Sequence, residues 1–207
     1  MPRAAEHTRE RILKAAYQQF RRRGFTRVGV DEIAAAAKIT KRTLYYHFRS
    51  KDELLAAVLE TQHNMALAAF RTFGDSLKGT PGEIVDAMFD QIVAWASKPR
   101  WAGSGFTRLA MELADMPGHP ARRLARRHKA ILENCLVELL EKARVPSPRE
   151  RAREVWLLSE GAISLILIHG DTQYAKAARN AAKRLVAAEM KQPTGLDRLG
   201  SDRPRQL

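Results

Sequence analysis

Hydrophobic positions recur at helical spacing along this chain, which predicts an all-α fold. Over 8–23 the residues Ile12, Leu13, Ala16, Tyr17 and Phe20 form one apolar stripe, and Gly24 stops the helix. Two short helices follow. The first carries Ile33 and the run Ala34-Ala35-Ala36-Ala37, with Asp31 and Glu32 in its first turn, where negative charge complements the helix dipole. The second opens after Thr40, a good N-cap, and its Leu44 and Phe48 lie four apart on one inward face. Arg42 and Tyr46, also four apart, lie on roughly the opposite face. Ser50 with Glu53 reads as a capping box that opens a long helix to about residue 73, with Leu54, Leu55, Val58 and Leu59 inward. After a break at 74–82, Gly79-Thr80-Pro81 starts a helix with Val85, Met88, Phe89, Ile92 and Trp95 along one side, and Lys98-Pro99-Arg100 ends it. Further helices are expected over 104–116, 120–144, 148–169 and 172–190. From Pro193 the chain is polar with Gly and Pro and reads as a disordered tail.

A short alanine-rich helix, a turn plugged by Ile39 and a second short helix with basic and aromatic side chains make a helix-turn-helix, an arrangement that puts a helix into the major groove of DNA. Lys41 and Arg42 stand at a helix N-terminus, where cations are disfavoured by ~0.3–1 kcal/mol each. Local stability does not explain them, and a phosphate or a guanine edge does. Charge supports this. Of a net +13, residues 1–50 hold 12 Lys+Arg against 4 Asp+Glu, whereas 51–118 hold 6 against 9. That asymmetry is the footprint of nucleic-acid binding. A second basic block at 119–155, 10 against 5, includes Arg122, Arg123, Arg126, Arg127 and Lys129. It reads as a solvated helix face, with a second DNA surface as the alternative.

On Gly24-Phe25, Ile33-Ala34, Thr40-Lys41, Thr43-Leu44-Tyr45-Tyr46-His47-Phe48 and Ser50-Lys51, the sequence resembles the tetracycline-repressor (TetR) family of bacterial regulators over about residues 8–59. The resemblance implies a dimer whose first three helices bind an operator and whose larger helical domain senses a small molecule. It also implies that Thr40, Lys41, Arg42, Thr43, Tyr45, Tyr46, His47 and Lys51 supply most base and phosphate contacts. Two positions depart from the family pattern. The turn usually holds Gly, and Lys38 stands there; a left-handed non-Gly residue costs roughly 1 kcal/mol, so the turn is either strained or differently shaped. Gly29 stands where Ser or Thr usually caps the second helix. Glycine caps within a few tenths of a kcal/mol but makes no side-chain contact to phosphate.

Catalytic constellations are absent. The six histidines show no HExxH spacing, and Gly103-Ser104-Gly105 is neither a nucleophile elbow nor a complete dinucleotide fingerprint. No enzyme activity, cofactor or metal is expected. His128 and Cys135 lie seven apart on one helix, and Cys135 reads as a small hydrophobe rather than a sensor. A lone cysteine and a charged N-terminus without an apolar segment fit a cytoplasmic protein. The longest apolar run, 156–168, is interrupted by Ser159, Glu160 and Ser164 and is too short to span a membrane.

Candidate ligand-lining residues are Met88, Phe89, Trp95, Trp101, Phe106, Met111, Trp156 and Glu160. Aromatic and Met side chains line adaptable pockets, although at helical spacing they also simply pack a core. Glu160 lies inside an apolar stretch, so its charge must be paired, solvated at an interface or used on a ligand. Arg108 and Glu112, four apart, read as a surface ion pair or a ligand-orienting one. Gly161, Ala162 and Ser164, with the alanines of the last helix (Ala178 and Ala182 among them), read as a close-packed dimer seam. The expected organisation is a DNA-binding domain over 1–50, a ligand-binding and dimerisation domain over 51–191, and a tail over 192–207. The function this predicts is a homodimeric regulator, a repressor released from double-stranded operator DNA by a small molecule. The alternative is an architectural or division-control protein of the same fold without a ligand. The two differ on whether the second domain encloses a cavity of several hundred Å³.

Overall fold

Caps and stops set the element boundaries in the computed structural model, which describes residues 2–77 and 79–188. Among these residues the order is α1 (Pro2–Arg23), α2 (Val30–Ala36), α3 (Lys41–His47), α4 (Lys51–Ser76), α5 (Pro81–Ala96), α6 (Gly105–Glu112), α7 (Pro120–Lys142), α8 (Pro148–His169) and α9 (Gln173–Ala188), with no strand. The tail expected to be disordered lies outside the described residues.

Thr40 caps α3 by accepting the Thr43 N–H, and Ser50 caps α4 by accepting the Glu53 N–H. The reciprocal half of the expected box at Ser50 is redirected, since the Glu53 carboxylate takes the N–H of Arg49 at 2.7 Å. Thr80 and Glu83 form a full capping box, with Pro81 at the first helical position. Gly29 caps α2 without a side-chain bond. α4 runs three residues past its expected end, through Gly74. A Cβ there would stand 3.0 Å from Leu139 Cδ2, so glycine lets α7 pass close.

Three clusters of buried side chains organise the fold. Ile12, Ala16, Val28, Ile33, Leu44 and Phe48 form the first, completed by Leu54 and Val58 of α4. The second is built from α5, α7, α8 and α9 around Phe89, Leu136, Leu140 and Val155. Met88 and Phe89 belong to it, 7% and 1% exposed. So does Ala182, fully buried inside its own chain, which takes it out of the expected dimer seam. The third joins the two halves, setting Phe25 against Leu55 and Leu59 of α4 and Phe106, Leu109 and Leu113 of the α6 region. Burial of each large side chain here is worth about 1.5–3 kcal/mol.

The helix-turn-helix turn is strained. Lys38 has φ 54, in the left-handed region that favours glycine. Arg11 of α1 compensates, donating to the Ala37 carbonyl at 2.6 Å and the Lys38 carbonyl at 3.1 Å.

Candidate functional site

On α3 the sequence periodicity separates two faces. Leu44 and Phe48 are 0% and 1% exposed, while Tyr46 is 82% exposed and Arg42, beside it along the helix, is also exposed. Arg42 has no hydrogen-bond or ion-pair partner among the described residues. Lys41 is held by Asp31 of α2 at 3.0 Å, and that hydrogen bond raises its pKa above the ordinary lysine value. Thr40 is occupied with Thr43, its hydroxyl 2.8 Å from the other. Tyr45 is exposed, and half-buried His47 meets Tyr46 edge-on. Lys51 is less free than a surface cation. Its ammonium lies 4.3 Å from the centre of the Phe25 ring and 3.4 Å from the Thr26 carbonyl, and burial pulls its pKa below the ordinary value.

Between the two halves lies a chamber of about 580 Å³. Of the residues singled out for a ligand, Trp95, Phe106, Trp156 and Glu160 line it. The other four do not. Met88 and Phe89 point into the core, Trp101 meets Trp95 edge-on at 5.4 Å and packs against that core, and Met111 stands 67% exposed. The facing wall comes from the N-terminal half: Tyr17 and Phe20 of α1, Phe25, and Leu55, Val58 and Leu59 of α4. The sequence carried no separate signal for these, because each already had reason to be apolar in a core.

Glu160 is paired. Its carboxylate accepts from Lys129 at 2.5 Å and from the Thr107 hydroxyl at 3.0 Å, and Lys129 also donates to Ser104, the N-cap of α6, at 3.2 Å. Deeper in, the buried imidazoles of His63 and His128 meet through their Nδ1 atoms at 2.9 Å, so one donates while the other accepts. Phe106 stacks on His128 at 3.6 Å. Burial, aided by Lys129 and His63, pushes the His128 pKa down to about 4. Cys135 does not join this pair; burial raises its thiol pKa, and it carries no metal or redox constellation among the described residues.

Arg108 and Glu112 do not form the expected ion pair with each other. Arg108 donates to the carbonyls of Arg21 at 3.0 Å and Ala102 at 3.3 Å. Glu112 accepts the N–H of Phe25 at 3.0 Å, the N–H of Thr26 at 2.7 Å and the Thr26 hydroxyl at 2.6 Å. Burial works against its negative charge, but these bonds and Arg108 outweigh it, and the carboxyl sits below its ordinary pKa. Gly24 makes this possible. Its φ is 88, and a Cβ would stand 2.9 Å from the Glu112 carboxylate. α6 is therefore bonded to the loop that leads into the helix-turn-helix, and both residues line the chamber.

Comparison with known proteins agrees with this arrangement. Residues 12–58 match the family described as bacterial regulatory proteins, tetR family. The chain is 45% identical over 56 residues to NicS, an HTH-type transcriptional repressor of Pseudomonas putida, covering 27% of this chain and 26% of that one. For the curated relatives NicS and UidR, the match spans between 26% and 43% of their length. Solved structures extend the likeness. SCO4454, a TetR-family transcriptional regulator from Streptomyces coelicolor, superposes with a TM-score of 0.79 at 26% identity, over 88% of this chain and 96% of that one. The TetR-type regulator sav143 from Streptomyces avermitilis is 30% identical over 84% of this chain and 97% of its own, with a TM-score of 0.70. With a matching reading head, and a relative at this identity over nearly its whole length, the chain belongs to the TetR family of bacterial regulatory proteins.

Proposed function

We propose that this protein is a homodimeric transcriptional repressor that binds a pseudo-palindromic operator and leaves it when a small molecule fills the chamber. The observation that carries the reading is that the chamber shares its wall with the DNA-reading unit, Tyr17, Phe20 and Phe25 facing Trp95 and Trp156 across it. A volume of about 580 Å³ lies in the range of small-molecule sites and favours this over an architectural protein without a ligand. Repression follows NicS, which carries that description.

In this account Thr40, Lys41, Arg42, Thr43, Tyr45, Tyr46, His47 and Lys51 meet the DNA, with Arg42 the base reader and Lys51 a phosphate contact once its ammonium leaves Phe25. A single seven-residue reading helix makes too few base contacts for operator specificity, so two subunits with reading helices about 34–36 Å apart are required. α8 offers the surface: Leu157, Leu165 and Ile168 are 72%, 38% and 71% exposed along one stripe with Gly161. A ligand acts on the reading head by two routes, α4 through the chain and α6 through Glu112. No helix among the described residues is long and apolar enough to cross a membrane.

Selection of sites by the purified protein from a random duplex pool is the test. Recovery of inverted repeats with half-sites about one helical turn apart is expected. Recovery of duplexes without sequence preference would overturn the reading.

A further inference from the structure

Beyond the chamber lies a second, more open hollow of about 610 Å³ whose charge is lopsided. Arg122, Arg123, Arg126 and Lys129 face it against a single carboxylate, Glu160. Arg122 donates to the Ala114 carbonyl at 3.1 Å and Arg123 to the Gly118 carbonyl at 3.0 Å, which anchors both over the connection from α6 to α7 and leaves most of their N–H groups unspent. Arg126 has no hydrogen-bond or ion-pair partner among the described residues. Arg122 and Arg126 are four apart on α7, a spacing at which like charges destabilise a helix. Helix stability therefore does not account for gathering these guanidiniums around a concavity.

The two hollows are the two sides of one wall. Phe106, Lys129, Trp156 and Glu160 line both, so the partition is an ion pair flanked by aromatic rings. On the inner side the surface is largely apolar, with Leu55, Val58, Leu59, Leu132 and Ile163.

We propose that the ligand is an amphipathic anion that spans this wall, its apolar body in the inner chamber and its carboxylate or phosphate group on Arg126 and Lys129. The proposal deepens the ligand-sensing reading given above and rests on it. A guanidinium fork matches either head group with two parallel hydrogen bonds, and Lys129 exchanges Glu160 for the incoming anion. A neutral ligand gains nothing from Arg126. A cationic one meets Glu160 but is repelled by the arginines outside. The exchange also reaches α6. Lys129 bonds the α6 cap at Ser104 and Glu160 holds Thr107 in its first turn, so drawing Lys129 away loosens the helix whose far end carries Glu112.

The test uses the whole chain, with tryptophan fluorescence and equilibrium dialysis as readouts and four probes of one chain length: decanoate, decyl phosphate, 1-decanol and decyltrimethylammonium. Decanoate and decyl phosphate should bind roughly tenfold or more tighter than decanol, with the ammonium weakest. Arg126→Ala should bring decanoate to the affinity of decanol and leave decanol where it was. Decanol or the ammonium binding as tightly as decanoate would overturn the anionic assignment while leaving the chamber a ligand site. An advantage for decanoate that survives Arg126→Ala would overturn its placement. Inorganic phosphate binding as tightly as decyl phosphate would remove the apolar body. Binding by none of the four would overturn the proposal and leave the chamber to a ligand of another shape, so the ligand-sensing reading stands or falls on its own test.

Discussion

Arg42 has no hydrogen-bond or ion-pair partner among the described residues, and that sets its expected phenotype. Lys41 leans on Asp31, Thr40 on Thr43 and Lys51 on Phe25, so each must break a contact to meet DNA. Arg42 breaks none. Arg42→Ala should cost ~1–3 kcal/mol of operator binding and relax preference at one base pair, as loss of a guanine contact does. Tyr46→Ala should weaken binding to all sequences alike, the signature of a backbone contact. Titration against matched and scrambled duplexes separates the two, and an Arg42→Ala protein with unchanged preference would move the base reader elsewhere on α3. A second residue-scale effect concerns pH. In the unfolded chain His128 takes up a proton near its ordinary 6.5, and in the folded chain only near 4. Between these values the unfolded state binds more protons, so the stability held in the neutral His128 imidazole is complete above about pH 6.5 and is lost as pH falls toward 4. The full shift would be worth on the order of 2–3 kcal/mol. Tm followed across that interval should decline, and His128→Gln should remove most of the slope.

Among the elements, α8 and α9 divide their small residues between two jobs. Ala175 and Ala182 are fully buried within the chain, while Gly161 has nothing near the position of a Cβ and stands in an exposed apolar stripe. Leu157→Lys combined with Ile168→Lys should therefore convert the proposed dimer to monomer in sedimentation with helix content unchanged, because neither side chain supports the subunit's own core. Ala182→Arg should instead lower Tm of the subunit itself. This split marks the limit of what was legible in the sequence. Helix starts at Thr40, Ser50, Thr80, Pro120 and Pro148 could be read because capping is a local matter of one or two side chains. The outward face of α3 could be read because Leu44 and Phe48 fix the inward one. Alanine spacing on α9 says only that something packs closely, not whether it belongs to the same chain or to another copy. Met88 and Phe89 could be read as core or as pocket, and contacts distant in sequence decided for core. Lys129, inside a run of arginines, gave no sign of being the partner of Glu160.

For the whole molecule, the bonds from Glu112 to Phe25 and Thr26 make α6 a second connection between the helical domain and the helix-turn-helix. Operator and ligand should oppose each other by about 1–3 kcal/mol, equally in both directions. Glu112→Gln keeps the shape but sets an amide NH2 against a backbone N–H that the carboxylate now accepts, and should shrink that coupling. Titrating decanoate with and without operator, in the native protein and the variant, measures it; an unchanged coupling would leave α4 as the whole route. The shared wall has one more consequence, for modularity. Tyr17, Phe20 and Phe25 fall on the reading-head side of residue 50, yet they close the chamber. A chimera that borrows another protein's reading head at that junction would import a foreign wall, so changing which DNA is read would also change which molecule is sensed. On the proposed function, the two specificities of this chain are inherited together.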